Sequence, residues 1–235
     1  MASKLVFPVI GDLREWGWPE VAAIVIRHAE RPSIKTWREV RHVGLTRSGI
    51  VACEEMGRQL ARYANIRIWH GPVRRCEQTG LVLASGARTA GSTVLEVRSD
   101  ETLGGSYLID SDRALTEAGK VGSPSFVRDW FSGRLEPGLM RPVPESTRAH
   151  LDLVRAALRQ DGLGSRLEVL VTHDWNVMVL REGLLGVRSE DIGWPDFLDG
   201  VSFRLRPTGL EARFRDHLLV EGRAIVRQPR GRLRQ

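Results

Sequence analysis

The sequence predicts an α/β fold of three layers, in which a mostly parallel sheet carries helices on both faces. Short apolar runs alternate with longer amphipathic segments along the chain, and this alternation is typical of parallel sheets. The first run, residues 21–26, is continuously apolar, as a strand covered on both faces requires. A chain of 235 residues is long enough for one well-filled domain of this kind.

The predicted elements follow one another as strand, helix, strand, helix, strand, and later as helix, strand, helix. The strands are predicted at residues 21–26, 65–69, 92–97 and 167–172. The helices are predicted after Thr46, which has the side chain of an N-cap, from Pro72 to about residue 84, near residues 146–159, and at 176–185. Residues 200–206 and 210–215 alternate like paired edge strands around the turn Pro207-Thr208-Gly209.

Two segments depart from this pattern. Residues from about 99 to 144 are interrupted by Gly and Pro, contain one predicted helix near 125–131, and are predicted to form a small cap over one end of the sheet. Residues from about 223 to 235 form an arginine-rich tail with little apolar surface to bury. Residues 1–235 are therefore predicted to be a single domain with a cap insertion and a polar tail.

Composition restricts the class of protein. Hydrophobic residues make up 42% of the chain and charged residues 27%, which is ordinary for a globular protein. No stretch reaches the roughly 18 consecutive apolar residues of a membrane helix, and Pro8 interrupts the N-terminus before an apolar signal core could form. The sequence therefore predicts a cytoplasmic protein without a membrane partner.

The net charge of +6 raises the question of nucleic-acid binding. Arginines are spread along the chain and gather only in the tail, so nucleic acid is a disfavoured partner. A positive protein instead attracts anionic substrates toward a positive cavity. The C-terminal half is basic and rich in edge strands, which leaves a homodimer open.

Three predicted strands lead into residues that carry chemistry. The first ends in Arg27-His28, the second leads to Arg74-Arg75, and the fourth leads to His173-Asp174. A parallel sheet places the carboxyl ends of its strands on one rim, where ligands of such sheets bind. We therefore expect two imidazoles, several guanidiniums and a carboxyl group to lie close together.

This combination suits a phosphomonoester. Guanidinium groups match phosphate oxygens in bidentate geometry, and phosphoryl transfer needs charge neutralisation, a nucleophile and an acid. A neutral imidazole can attack phosphorus, and a carboxylic acid can protonate the leaving alkoxide. Metal binding is the competing use of two histidines. The surrounding arginines would repel a cation, so neither a metal nor another cofactor is predicted.

Four segments, in this order, resemble motifs of the histidine phosphatase superfamily, whose fold is called phosphoglycerate-mutase-like. They are Ile24-Val25-Ile26-Arg27-His28-Ala29-Glu30-Arg31-Pro32, Leu45-Thr46-Arg47-Ser48-Gly49, Pro72-Val73-Arg74-Arg75-Cys76-Glu77-Gln78-Thr79 and Val171-Thr172-His173-Asp174. Together they span about residues 21–187. The first departs from the family's Arg-His-Gly in having Ala29, whose methyl group is expected near the phosphate, where it could narrow the cavity.

The resemblance implies a role for each matching residue. His28 would be the nucleophile that becomes phosphorylated. Arg27 and Arg75 would bind phosphate oxygens, with Arg75 favoured over Arg74 by its spacing from Pro72 and to Gln78. His173 would be the second histidine that contacts the phosphoryl group.

Features of the acid-phosphatase branch of that superfamily are also present. Arg31 resembles the branch's second arginine, which binds phosphate, and His173-Asp174 resembles its closing motif, in which the aspartate donates the proton. The resemblance thus implies Asp174 as the acid. Glu101 or Asp100, in the loop after the third strand, is the alternative, because the mutase-like branch takes a glutamate from that loop.

These features predict a metal-independent phosphatase that acts through a phosphohistidine on a small phosphorylated metabolite, such as a sugar or cyclitol phosphate. A phosphoglycerate-mutase-type phosphotransferase and a protein phosphohistidine phosphatase are alternatives within catalysis. A non-catalytic binder of phosphoryl ligands or nucleic acid is the alternative of another class.

Other residues near the rim have less specific signals. Glu101, His70 and Trp175 are candidates for lining the cavity. His150 fits no motif and is predicted to be solvated, and Trp194 is predicted to pack in the interior.

Overall fold

The computed structural model describes residues 5–34, 39–160, 164–220 and 223–226, the last of these by their backbone. The helices are α1 (Pro8–Glu15), α2 (Arg47–Leu60), α3 (Arg74–Thr89), α4 (Ser111–Val121), α5 (Ser123–Phe131), α6 (Val143–Leu158), α7 (Asp174–Leu185) and α8 (Ser189–Ile192). The strands are β1 (Val21–Arg27), β2 (Asn65–His70), β3 (Thr93–Ser99), β4 (Arg166–Thr172), β5 (Gly200–Arg206), β6 (Gly209–Phe214), β7 (His217–Val220) and β8 (Arg223–Val226). A short 3-10 helix, Glu101–Leu103, follows β3.

The described strands form one mixed sheet in the order β3-β2-β4-β1-β5-β6-β7-β8. The first four strands in this order are parallel, and those from β5 onward are antiparallel. The predicted α/β class and parallel core are confirmed. Because β1 pairs with β5, the two strands expected at an edge extend the main sheet instead.

Apolar layers cover both faces of the sheet. One face packs β1, β2 and β4 against α1, α2 and α3, and the other packs them against α6 and α7. Every residue of β4 is buried, so its polar side chains need partners. Glu168 lies between Arg67 and Arg166 and accepts a hydrogen bond from the Trp69 indole at 2.9 Å.

The cap segment is more ordered than the sequence predicts. It contains two helices, α4 and α5, where only one near 125–131 was expected. These helices bury a separate cluster that includes Phe126 and Trp130, and the cluster continues onto α7 through Trp175. Arg128 of α5 pairs with Glu182 of α7 at 2.7 Å. The cap is therefore attached to the helix that begins at the fourth strand end.

One further expectation, about the C-terminal tail, needs correction. The arginine-rich tail was expected to begin at about residue 223, but 223–226 form β8, paired with β7. The remainder of the predicted tail lies outside the described residues. Among the described residues, no helix has the length and apolar character needed to cross a membrane.

Candidate active site

The ends of β1 and β4 place the two motif histidines side by side. Arg27 is in register with Thr172, and the His28 backbone N–H donates to the Thr172 carbonyl at 2.8 Å. The rings of His28 and His173 have centroids 5.5 Å apart. Parallel pairing thus brings together two residues that are far apart in sequence.

The hydrogen bonds of His28 determine which ring nitrogen is available for attack. Nδ1 lies 2.8 Å from the Ala29 carbonyl oxygen, which can only accept, so Nδ1 carries the proton. Nε2 accepts a hydrogen bond from Arg75 Nε at 3.1 Å. Burial, and next the neighbouring His173, hold the pKa of His28 well below 6.5. His28 is therefore a neutral imidazole with its lone pair on Nε2.

Arg75 connects the two histidines. Its Nε donates to His28, its Nη2 lies 3.3 Å from His173 Nδ1, and its Nη1 donates to the Val40 carbonyl. Arg75 is buried, whereas its neighbour Arg74 is exposed. The structure thus places Arg75, and not Arg74, in the site.

His173 is also held neutral. Burial, and next the positive charge of Arg75, lower its pKa from 6.5 to about 3, against the opposing effect of Asp174. The ring is 8% exposed, so solvent screens these effects little. Both histidines can therefore face a phosphate as neutral rings.

The lowered pKa of His173 predicts a pH dependence of stability. Between pH 6.5 and pH 3 the imidazole binds a proton in the unfolded chain but not in the folded chain. The free energy of unfolding is therefore highest above about pH 6.5 and falls toward pH 3. The slope for one such group is at most ~1.4 kcal/mol per pH unit. Urea unfolding at pH 7 and pH 5 should show a smaller loss in His173→Asn than in the wild type. Equal losses in the variant and the wild type would contradict a lowered pKa of His173.

Two further arginines flank the histidines. Arg27 donates to the Pro195 carbonyl at 2.7 Å, pairs with Asp174 at 3.2 Å, and lies 4.1 Å from the centre of the Phe197 ring. Arg31 donates to the Pro32 carbonyl at 2.8 Å. The Nε atoms of both arginines are buried without a hydrogen-bond partner among the described residues. A bound anion would satisfy such donors.

Asp174 begins α7 and accepts hydrogen bonds on both oxygens. Oδ1 accepts from the Trp175 backbone N–H at 3.0 Å, and Oδ2 accepts from the Trp194 indole at 2.9 Å and pairs with Arg27. Trp194, expected only to pack, therefore holds this carboxylate in place.

These groups open into a cavity of about 620 Å³ between the rim and the cap. Its inner end contains His28, Arg31, Arg75, His173 and Asp174, and its outer walls include Glu101, Tyr107, Leu108, Asp112, Leu115 and Trp175. Glu101 and Trp175 thus line the cavity, as expected. His70, which is buried, and Arg27, which is half-buried, do not line it, and Asp100 instead accepts from the Thr102 N–H at 2.8 Å.

Other motif residues hold the site together. Thr79 accepts a hydrogen bond from the Ala29 N–H at 3.0 Å, and Gln78 accepts one from the Leu45 N–H at 2.9 Å. Thr46 caps α2 as predicted, accepting from the Gly49 N–H at 3.0 Å. A Cβ at Gly49 would lie 2.3 Å from the Glu30 carbonyl oxygen, so only glycine fits there.

The expectation for Ala29 was wrong. Its side chain is fully buried in the main core, on the face covered by α1, α2 and α3, and does not line the cavity. The methyl group of Ala29, which replaces the family's glycine, therefore does not narrow the phosphate end of the cavity.

Comparisons with known proteins bear on the fold. No protein-family model matches the chain, and no curated protein matches it. Among solved structures, the chain matches mycobacterial glucosyl-3-phosphoglycerate phosphatase with a TM-score of 0.55 and 16% identity, covering 85% of this chain and 97% of that one. It matches YhfR of Bacillus stearothermophilus with a TM-score of 0.54 and 17% identity, covering 86% and 96%.

The chain has the phosphoglycerate-mutase-like fold. The four motifs predicted this fold, and the structural matches confirm it. A third match, Rv3214 from Mycobacterium tuberculosis, has a TM-score of 0.52 and 18% identity and covers 83% of this chain and 97% of that one. In the phosphoglycerate-mutase-like fold the parallel core brings the ends of β1 and β4 together. The activity has to be argued from the residues at those ends.

Proposed function

We propose that the protein is a metal-independent phosphomonoesterase in which His28 carries the phosphoryl group as a phosphohistidine. One observation carries this proposal. A buried neutral imidazole presents its lone pair among three arginines, Arg27, Arg31 and Arg75, of which Arg27 is paired with Asp174. The guanidiniums of Arg31 and Arg75 match a phosphate dianion.

The first step follows from the orientation of His28. Nε2 attacks phosphorus, a nitrogen–phosphorus bond forms, and the bond from phosphorus to the leaving oxygen breaks. The positive charge that develops on the ring is stabilised by the Nδ1–H bond to the Ala29 carbonyl. Arg75 changes partner in this step, because its Nε–H, directed at His28 Nε2 in the free site, can donate to a phosphoryl oxygen instead.

A carboxyl group must protonate the leaving alkoxide and later take a proton from the attacking water. Both oxygens of Asp174 accept hydrogen bonds, from the Trp175 N–H and the Trp194 indole, and Oδ2 also pairs with Arg27, so this side chain is directed at neighbouring residues. Glu101 lines the same cavity, is exposed, and has no ion pair among the described residues. This contrast favours Glu101 as the donor, with Asp174 orienting Arg27. Water then releases phosphate from His28.

The walls beyond the phosphate end support an uncharged leaving group. Leu108, Leu115 and Tyr107 provide apolar surface, while Ser111 of α4 provides a donor and Asp112 provides acceptors for hydroxyl groups. Asp112 would repel a second anionic group on the substrate. A sugar or cyclitol monophosphate fits this combination, and we propose that class as substrate.

The direct test is phosphate release by the purified protein from an aryl phosphate and from a panel of polyol, sugar and cyclitol monophosphates. We expect release in the presence of EDTA at the same rate as without it, because the described residues contain no cluster of three metal ligands and the chemistry proposed needs none. Phosphate binding without release would support the non-catalytic alternative. Loss of activity in EDTA would contradict the proposed mechanism.

A further inference from the structure

The loop that carries Glu101 is held against the end of β4 by a buried amide. Asn176, in the first turn of α7, is fully buried, and its Nδ2 donates to the Gly104 carbonyl at 2.7 Å and to Thr172 Oγ1 at 2.6 Å. Thr172 Oγ1 in turn donates to the Leu103 carbonyl at 2.7 Å. Both carbonyls belong to residues directly after Glu101 and Thr102.

The same loop is enclosed from its other side. A Cβ at Gly71 would lie 2.6 Å from the Leu103 carbonyl oxygen, so the backbone after β2 approaches the loop as closely as glycine allows. The Asp100 N–H donates to the His70 carbonyl at 2.9 Å. The loop between β3 and the cap is thus fixed from β2 and from α7.

His150 supports Asn176 from behind. Contrary to the expectation of a solvated side chain, it is 1% exposed on α6, with Nδ1 2.8 Å from the Ser146 carbonyl oxygen. Asn176 acts on the pKa of His150, so the two side chains lie near each other. The hydrogen bonds of Asn176 are made by its Nδ2, and His150 packs behind its other end.

We propose that Asn176 is a positioning residue that places Glu101 against the leaving-group oxygen, with His150 restraining Asn176. This inference rests on the proposed function and on Glu101 as the proton donor. Asn176 does not line the cavity, so it acts through the loop. Its effect belongs to proton transfer in the transition state and should therefore appear in kcat more than in KM.

The test compares a good and a poor leaving group. In Asn176→Asp, which keeps the shape of the side chain and removes its donor, we expect kcat/KM for β-glycerophosphate, which reports the phosphorylation step, to fall by about 10- to 100-fold, because small displacements of catalytic groups have effects of this size. For p-nitrophenyl phosphate, whose leaving group needs no proton in that step, we expect a change in kcat/KM below about 3-fold. Glu101→Gln should give the same pattern.

The controls separate this role from a merely structural one. Val154→Ala removes buried volume from the same helix as His150 and should lower the melting temperature without leaving-group dependence. If Asn176→Asp does not fold, Asn176→Ser removes the amide without adding charge. Equal loss on both substrates, no loss on either, or leaving-group dependence in Asp174→Asn instead of Glu101→Gln would overturn the inference. Failure of the wild type on both substrates would count against the proposed function itself.

Discussion

Replacing His28 with alanine is expected to reduce phosphate release by at least about three orders of magnitude, because no other imidazole in the described site presents a free lone pair toward the guanidiniums in the same way. His173 cannot substitute for it in place, since its Nδ1 faces Arg75 and its ring packs beside Cys76. The folded state should survive, and the positive site should still bind inorganic phosphate.

The measurement is the covalent intermediate itself. Rapid quenching of the wild type during turnover should give a mass gain of one phosphoryl group on His28, stable in base and lost in acid. His70→Gln is the matched control, since His70 lies at the end of a parallel strand and also has its Nδ1 against the carbonyl oxygen of the next residue, at 2.9 Å, but does not line the cavity. Labelling of any residue other than His28 would disprove the nucleophile assignment.

Replacing Arg75 with alanine is expected to reduce kcat/KM by about 10²- to 10³-fold. The loss removes a phosphate ligand and also the group that holds His28 Nε2 and His173 Nδ1 in position, and preorganised donors of this kind contribute effects of that size. The change also raises the affinity of both imidazoles for protons, because the positive charge of Arg75 lowers the pKa of each.

The chain provides a control at the adjacent position. Arg74→Ala removes the same side chain from the exposed surface of the same helix, and we expect kcat/KM within about 2-fold of the wild type. Steady-state kinetics on the same aryl phosphate, with phosphate inhibition constants, would measure both. A similar loss in the two variants would mean that long-range charge, and not contact, explains the effect.

Much of the site was predictable because its parts are short strings at strand ends. Arg27-His28 and His173-Asp174 follow continuous apolar runs, and parallel pairing leaves little freedom in where the ends of such runs meet. The choice of Arg75 over Arg74 also followed from spacing, since a helix that begins at Arg74 directs the two side chains to different sides. The helices of the cap were harder to predict from the sequence, because α4 packs on α5 and has only a narrow apolar stripe.

The residues that the sequence did not reveal act through partners distant in the chain. His150 resembles a solvated histidine until α6 packs against α7, and Asn176 acquires its role only when the loop after β3 meets the end of β4. The contacts of Asp174 also depend on folding, because Trp194, twenty residues away, and Arg27 both contact its Oδ2.

By itself the sequence predicted the class of fold, which the structure confirms, and also the nucleophile and the class of ligand that we propose, because hydrophobic periodicity and local motifs indicate strand ends and the groups they carry. Only the tertiary structure decided which nitrogen of His28 faces Arg75, which partners contact the oxygens of Asp174, and which buried amide fixes the loop. Those properties depend on hydrogen bonds, burial and charge between residues brought together by folding, and they have no trace in local spacing.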